Sequence, residues 1–139
     1  FHKNSYVGRT FIKPTQKERE SAVHLKLSVL SSVVKGKRLV LIDDSIVRGT
    51  TMASLIRMLK DAGATEVHVR ISSPPFLFPC YYGTDVPSND QLIASSHTAA
   101  EICASIGADS LGYMKLEDLK QMTGDLPLCK ACFDSHYPV

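Results

Sequence analysis

The stretch Leu41-Ile42-Asp43-Asp44-Ser45-Ile46-Val47-Arg48-Gly49-Thr50-Thr51 constrains this chain more than any other segment. The apolar run from Leu39 to Ile42 ends in two adjacent acids, a turn carrying hydroxyls and a glycine, and then a helix-patterned segment. An apolar run without alternation suits a parallel strand buried on both faces. Beyond Thr51, the residues Met52, Leu55, Ile56, Leu59 and Ala62 recur at helical spacing, and Gly63 supplies a stop. The loop therefore falls at the carboxyl end of a strand, the ligand position of open α/β sheets.

The chemistry of the loop suits a phosphorylated sugar. Backbone N–H groups of Arg48 to Thr51 sit at a helix start, where they lack intrahelical partners and where the helix dipole is positive. Ser45, Thr50 and Thr51 add hydroxyl donors, and Gly49 lets the backbone approach a ligand closely. Asp43 and Asp44 can accept hydrogen bonds from vicinal ribose hydroxyls, directly or through Mg²⁺, which prefers oxygen ligands. An acidic pair after a strand also occurs as a solvated turn, with Thr50 or Thr51 as an ordinary helix cap. The whole string favours the ligand site, because every element of it suits the same molecule.

The rest of the chain places this loop in an α/β domain. Residues 1–14 are polar with a short extended run, and Thr15 with Glu18 makes a capping-box pattern. A helix is expected from Gln16 to about Val33, with Ala22, Val23, Leu27, Leu30 and Val34 as its apolar stripe. A strand over Lys37–Asp43, a helix over Thr50–Ala62 and a strand over Glu66–Ser72 make a βαβ unit, hence a parallel sheet with flanking helices. Two short helices are expected around Leu92-Ile93 and over Ala99–Ile106, then a strand over Leu111–Met114 and a helix over Leu116–Met122. The remainder, Gly124 to Val139, reads as irregular.

At 139 residues the chain has the length of one domain, and its net charge of +2 offers no footprint for nucleic acid. No apolar run reaches the length of a membrane span and no signal peptide is visible, so the cytoplasm is the expected location. Of the four cysteines, Cys103 lies in a helical pattern and reads as a small buried residue. Cys129-x-x-Cys132 is a half-site whose spacing leaves zinc, an iron–sulfur cluster, a redox dithiol and a plain pair of thiols open, and Cys80 can be a third ligand. The histidines show no metal-site spacing.

The string at 41–51 also resembles the phosphoribosyl-pyrophosphate (PRPP) motif of type I phosphoribosyltransferases. Further segments match in order: Tyr6 to Ile12, Ser72 to Pro75, Pro79 to Asp85, Leu92 to His97 and Cys129 to Phe133. Together they resemble the glutamine phosphoribosylpyrophosphate amidotransferase family, in its iron–sulfur-containing branch. The resemblance implies a Rossmann-like partial phosphoribosyltransferase domain over residues 1–115 and a tail over 116–139. It implies PRPP and Mg²⁺ at Asp43 and Asp44, with Ser45, Ile46, Val47, Arg48, Gly49, Thr50 and Thr51 around the 5-phosphate. It makes 1–14 a flexible loop whose Lys3, Tyr6 and Arg9 meet the pyrophosphate. It selects a structural 4Fe–4S cluster with Cys80, Cys129 and Cys132 as ligands, a fourth lying upstream, and a cluster that staples a tail poor in apolar residues to the domain.

The same resemblance implies synthesis of 5-phosphoribosylamine, the first committed step of purine synthesis, with a glutaminase domain elsewhere in the chain and purine nucleotides as feedback inhibitors. Because the sequence begins at Phe1, it reads as a carboxyl-terminal piece of a longer protein. Open sheet edges in such a piece invite pairing with another chain, and a homo-oligomer is expected. The alternatives are a non-catalytic PRPP sensor and a nucleobase phosphoribosyltransferase. A sensor of that kind often carries a DNA-binding module, which is not visible, and gives the cysteines no purpose.

Overall fold

The computed structural model describes residues 2–3, 27–83, 86, 88–124 and 126–138. Its centre is a parallel sheet of β3 (Arg38–Asp43), β4 (Glu66–Ile71) and β5 (Ser110–Tyr113), in the order β3-β4-β5. The register places Asp43 beside Ile71 and Ile71 beside Tyr113, so the strands end together at the carboxyl edge. Ahead of the sheet, β1 (His2–Lys3) pairs antiparallel with β2 (Leu27–Ser28), and α1 (Ser31–Val34) is a single turn.

Two helices cover one face of the sheet. α2 (Thr50–Asp61) joins β3 to β4, and α3 (Ala99–Ile106) precedes β5. Met52, Ile56 and Leu59 of α2 and Ile102 and Ile106 of α3 pack with Val67, Val69 and Ile71. Val67 and Val69 are fully buried, and at about 25 cal/mol per Å² of apolar area such burial is the main force holding the layers together. The amino end of α3 is closed by a capping box, in which Thr98 and Glu101 each satisfy the other's backbone N–H. Asp109 ties the layers at the opposite sheet end, accepting from the Val67 N–H at 2.7 Å and pairing with Lys60 at 3.2 Å. These bonds hold its carboxyl below the usual carboxylate range.

Four sequence expectations need correction. β3 is not buried on both faces: Val40 and Ile42 are 64% and 72% exposed. The described helices α2 and α3 both pack on the opposite face, which leaves Val40, Ile42, His68 and Arg70 on the open side. The helix expected from Gln16 does not run unbroken to Val33, because Leu27 and Ser28 are committed to the ladder with Lys3 and His2. Leu30, assigned to a buried stripe, is half exposed in an extended conformation before α1. The part of that helix from Gln16 to Lys26, with the Thr15–Glu18 box, lies outside the described residues. Around Leu92 the chain forms two 3₁₀ turns, Asn89–Gln91 and Ile93–Ser95, rather than an α-helix.

The carboxyl-terminal segment is not wholly irregular. After α4 (Leu116–Thr123), Ala131–Asp134 forms a short helix, α5, and Ala131 is buried. The Cys132 carbonyl accepts from the N–H groups of Leu77 (2.9 Å) and Phe78 (3.1 Å). Phe133 packs on Phe76 with ring centroids 5.1 Å apart, Tyr137 packs on Tyr81 at 4.8 Å, and the Tyr137 hydroxyl donates to the Pro79 carbonyl at 2.7 Å. The tail is thus docked on the loop after β4 by its own aromatic rings and backbone. This tail, expected to have little apolar content of its own, makes its contacts through a few rings, Phe133 and Tyr137 among them.

Ile56 lies at the centre of the helix–sheet interface with 1% of its surface exposed. Ile56→Ala is expected to lower the unfolding free energy by about 2–5 kcal/mol, the range for such core truncations, read from the urea midpoint at unchanged slope.

Candidate functional site

At the carboxyl end of β3 the chain leaves the sheet through Asp43 and Asp44 and reaches α2 six residues later. Asp43 is half-buried, and its Oδ1 accepts from the Asp44 N–H at 3.0 Å. Burial raises its pKa from the ordinary 3.8; the Asp44 N–H counteracts this, and the charge of the Asp44 carboxylate adds to it. Asp44 is exposed, and the Ser45 hydroxyl donates to its Oδ1 at 2.9 Å. The pair therefore differs in environment, one carboxylate partly desolvated and one in solvent.

The turn that follows is anchored from below. Ile46 is 3% exposed and belongs to the core, so this residue can offer a ligand only its backbone. Gly49 is the helix N-cap, in the left-handed region at φ 78°. A Cβ there would lie 3.1 Å from Ile93 Cδ1 and 3.4 Å from Ile106 Cγ2, so glycine answers both a conformational and a steric demand.

No side chain caps α2, and its first turn carries no acidic residue. This answers the reading of the segment as an ordinary capped helix, because neither Thr50 nor Thr51 takes that position. The amino end of α2 therefore keeps its dipole and first-turn N–H groups uncompensated by side chains, which suits an anion. Asp43, Asp44 and Ser45 are linked by hydrogen bonds at the strand end, and Val47, Arg48, Thr50 and Thr51 are half-buried along the turn into the helix.

The neighbouring strand ends line the same edge. The Ser72 N–H donates to the Asp43 carbonyl at 3.0 Å, extending the ladder past β4. The Ser73 and Tyr113 hydroxyls are buried without a hydrogen-bond partner among the described residues, and burial pushes the Tyr113 phenol up to about 12. Of the residues expected at the pyrophosphate, Tyr6 and Arg9 lie outside the described residues, and Lys3 is placed only as a backbone partner of Leu27.

Two groups bear on metals. Asp43 and Asp44 present hard oxygen donors, and a partly desolvated carboxylate beside a second one favours a cation over a proton-free pair alone; Mg²⁺ commonly takes one or two carboxylates with substrate oxygens completing its shell. Cys80, Cys129 and Cys132 form an electrostatic group: burial raises the Cys132 thiol, and the charges of Cys80 and Cys129 add to the rise. Their soft donor chemistry fits iron–sulfur ligation. Among the described residues, no three His, Cys, Asp or Glu side chains converge closely enough to hold one ion. No described helix is long and apolar enough to cross a membrane.

Sequence reasoning missed Gln91 as part of this site. Its side-chain oxygen accepts from Arg48 Nη2 across 43 residues of chain, and no local pattern marks a neutral amide in a polar turn as a partner of that loop.

With this geometry established, comparisons with known proteins agree on one family. The phosphoribosyl transferase domain family matches residues 4–72. An amidophosphoribosyltransferase of Synechocystis sp. is 53% identical over 139 residues, covering 99% of this chain and 28% of that protein. One from Methanocaldococcus jannaschii is 55% identical over 136 residues, covering 98% of this chain and 29% of that protein. Among solved structures, the glutamine PRPP amidotransferase of B. subtilis complexed with ADP and GMP superposes with a TM-score of 0.80 at 53% identity, over 98% of this chain and 31% of that one. The chain thus spans less than a third of the length of these relatives.

Gly49→Ala places a methyl group in a left-handed backbone against Ile93. It is expected to destabilise the fold by about 1–2 kcal/mol from the backbone conformation alone, measured by chemical denaturation. A change indistinguishable from zero would mean that the turn relaxes freely.

Proposed function

Because the chain belongs to the amidophosphoribosyltransferase family, we propose that it forms the PRPP-binding part of an enzyme that makes 5-phosphoribosylamine from PRPP and glutamine-derived ammonia, the first committed step of purine synthesis. The observation that carries the reading is the uncapped amino end of α2, joined by one short turn to an acidic pair at the carboxyl edge of a parallel sheet. Such an edge suits a phosphate and a ribose at once, which a simple anion site does not.

In this reading the 5-phosphate sits against the N–H groups and hydroxyls of the turn ending at Thr51. Asp43 and Asp44 would take the two ribose hydroxyls and would hold Mg²⁺, which would supply charge neutralisation at the pyrophosphate. Ammonia attacks C1 of the ribose while the C1–oxygen bond to pyrophosphate breaks; the new C–N bond forms, pyrophosphate leaves with the bonding pair, and the attached ammonium loses a proton. Positive charge develops on the ribose ring, so fixed carboxylates nearby and exclusion of water stabilise the transition state more than a strong base would. Lys3, Tyr6 and Arg9 would meet the pyrophosphate, Arg9 through bidentate hydrogen bonding. Residues 1–115 would serve as this domain, with 116–139 as its tail.

Cys80, Cys129 and Cys132 would supply three ligands of a 4Fe–4S cluster, adding to contacts that already dock the tail. Purine nucleotides, which also carry a 5-phosphate, would compete for the same turn; the B. subtilis relative was solved with ADP and GMP. A glutaminase domain outside this chain would furnish the ammonia, in a cytoplasmic homo-oligomer.

The test is titration calorimetry of the full-length protein with PRPP and Mg²⁺, alongside Asp43→Asn/Asp44→Asn. Saturable binding is expected in the wild type. The variant should lose at least tenfold in affinity, since each charge-assisted hydrogen bond contributes about 1.5–3 kcal/mol. The site needs Asp43 ionised, and burial raises the pKa of that group above 3.8. Wild-type affinity should therefore fall with falling pH sooner than an unperturbed aspartate would dictate, and the Asn variant should not show that limb. Equal affinity in both proteins would reject the assignment.

A further inference from the structure

The anion-binding turn is gripped by a segment that the site chemistry does not itself require. Ile93 donates its N–H to the Val47 carbonyl at 2.9 Å. Arg48 donates from Nη2 to the side-chain oxygen of Gln91. The Ile93 side chain fills the space beside Gly49, where a Cβ would meet its Cδ1 at 3.1 Å. Backbone, side chain and packing thus converge on three consecutive residues of the turn, all from the two 3₁₀ turns spanning Asn89 to Ser95.

That segment is itself fixed. Leu92 is 1% exposed, and Ser95 Oγ donates back to the carbonyls of Leu92 at 2.7 Å and Asn89 at 3.0 Å. Ile93 packs against the core cluster that includes Ile106. An internally bonded platform, anchored by the buried Leu92, therefore holds a turn whose own backbone must present N–H groups in one orientation. Preorganised donors bind an anion without the reorganisation a free loop would undergo.

We propose that Gln91 is a positioning residue for the sugar-phosphate site: by gripping Arg48 it fixes the peptide units from Val47 to Gly49 so that their N–H groups meet the 5-phosphate. This rests on the PRPP reading above. Gln91 meets the turn through Arg48 and makes no hydrogen bond to Asp43 or Asp44 among the described residues, so its effect belongs to substrate binding. The grip passes through Arg48, and the two residues act as one unit.

The experiment is steady-state turnover of the full-length protein with PRPP, using ammonium as nitrogen donor, together with the thermal midpoint. Gln91→Leu should raise KM for PRPP about tenfold while kcat stays within about twofold, the split that marks loss of ground-state positioning. Gln91→Glu keeps the acceptor and should bring KM back to within about threefold of wild type. In an Arg48→Ala background, Gln91→Leu should add nothing further, as a double-mutant cycle requires of a pair acting together.

An unchanged KM in Gln91→Leu would overturn the proposal. So would a full tenfold effect in the Arg48→Ala background, or kcat, KM and thermal midpoint collapsing together. If Gln91→Leu does not fold, Gln91→Asn, one methylene too short to reach Arg48, supplies the same readouts. A wild-type protein that neither binds nor consumes PRPP would instead overturn the proposed function, an outcome separate from any variant.

Discussion

The turn at Gly49 determines the geometry around it. With φ at 78° the chain swings from the acidic pair into α2, and the place of a missing side chain is taken by Ile93 and Ile106. The same residue lets the helix begin without a side-chain cap, so the charge and N–H groups of its amino end face outward. Strand β3 delivers the carboxylates, α2 delivers the dipole, and the angle between them is set at one glycine. Packing of Ile46 below the turn and of Met52 and Ile56 along the helix holds that angle by burial, alongside the polar contacts from Gln91 and Ile93.

Local patterns made most of this edge legible. The apolar positions Met52, Leu55, Ile56 and Leu59 marked α2, and all are buried as that spacing demands. The alternation of Val67, Val69 and Ile71 with His68 and Arg70 marked the face of β4 that meets the helices. The run from Leu39 to Ile42 misled, because four apolar residues in a row do not say which face of a strand is covered. Only the position of α2 and α3 decides that, and it leaves Val40 and Ile42 open.

Contacts between distant segments were illegible for a physical reason. A 3₁₀ turn that grips a loop through one amide oxygen and one N–H leaves no periodicity, and Gln91 stands 43 residues from Arg48. The docking of the tail is similar: Phe133 and Tyr137 are isolated aromatics in a polar stretch until Phe76 and Tyr81 are brought to them. Likewise, Leu27 fits a helical stripe until the backbone partners of Leu27 and Ser28 in β1 are known. The candidate site thus divides into a ligand-facing part written in consecutive residues and a supporting part assembled by the fold.

The division gives the carboxylates and the turn separate tasks. Asp43, partly desolvated, is tuned by its environment, while Asp44 stays in solvent with Ser45 beside it. A crystal structure of the full-length protein with ribose 5-phosphate and Mg²⁺ tests the central claim most directly. Density for the phosphate within hydrogen-bond distance of the amide nitrogens of Arg48 to Thr51, with the ribose hydroxyls toward Asp43 and Asp44, is the expected result. Sugar phosphate bound elsewhere, with the amino end of α2 left to solvent, would contradict it.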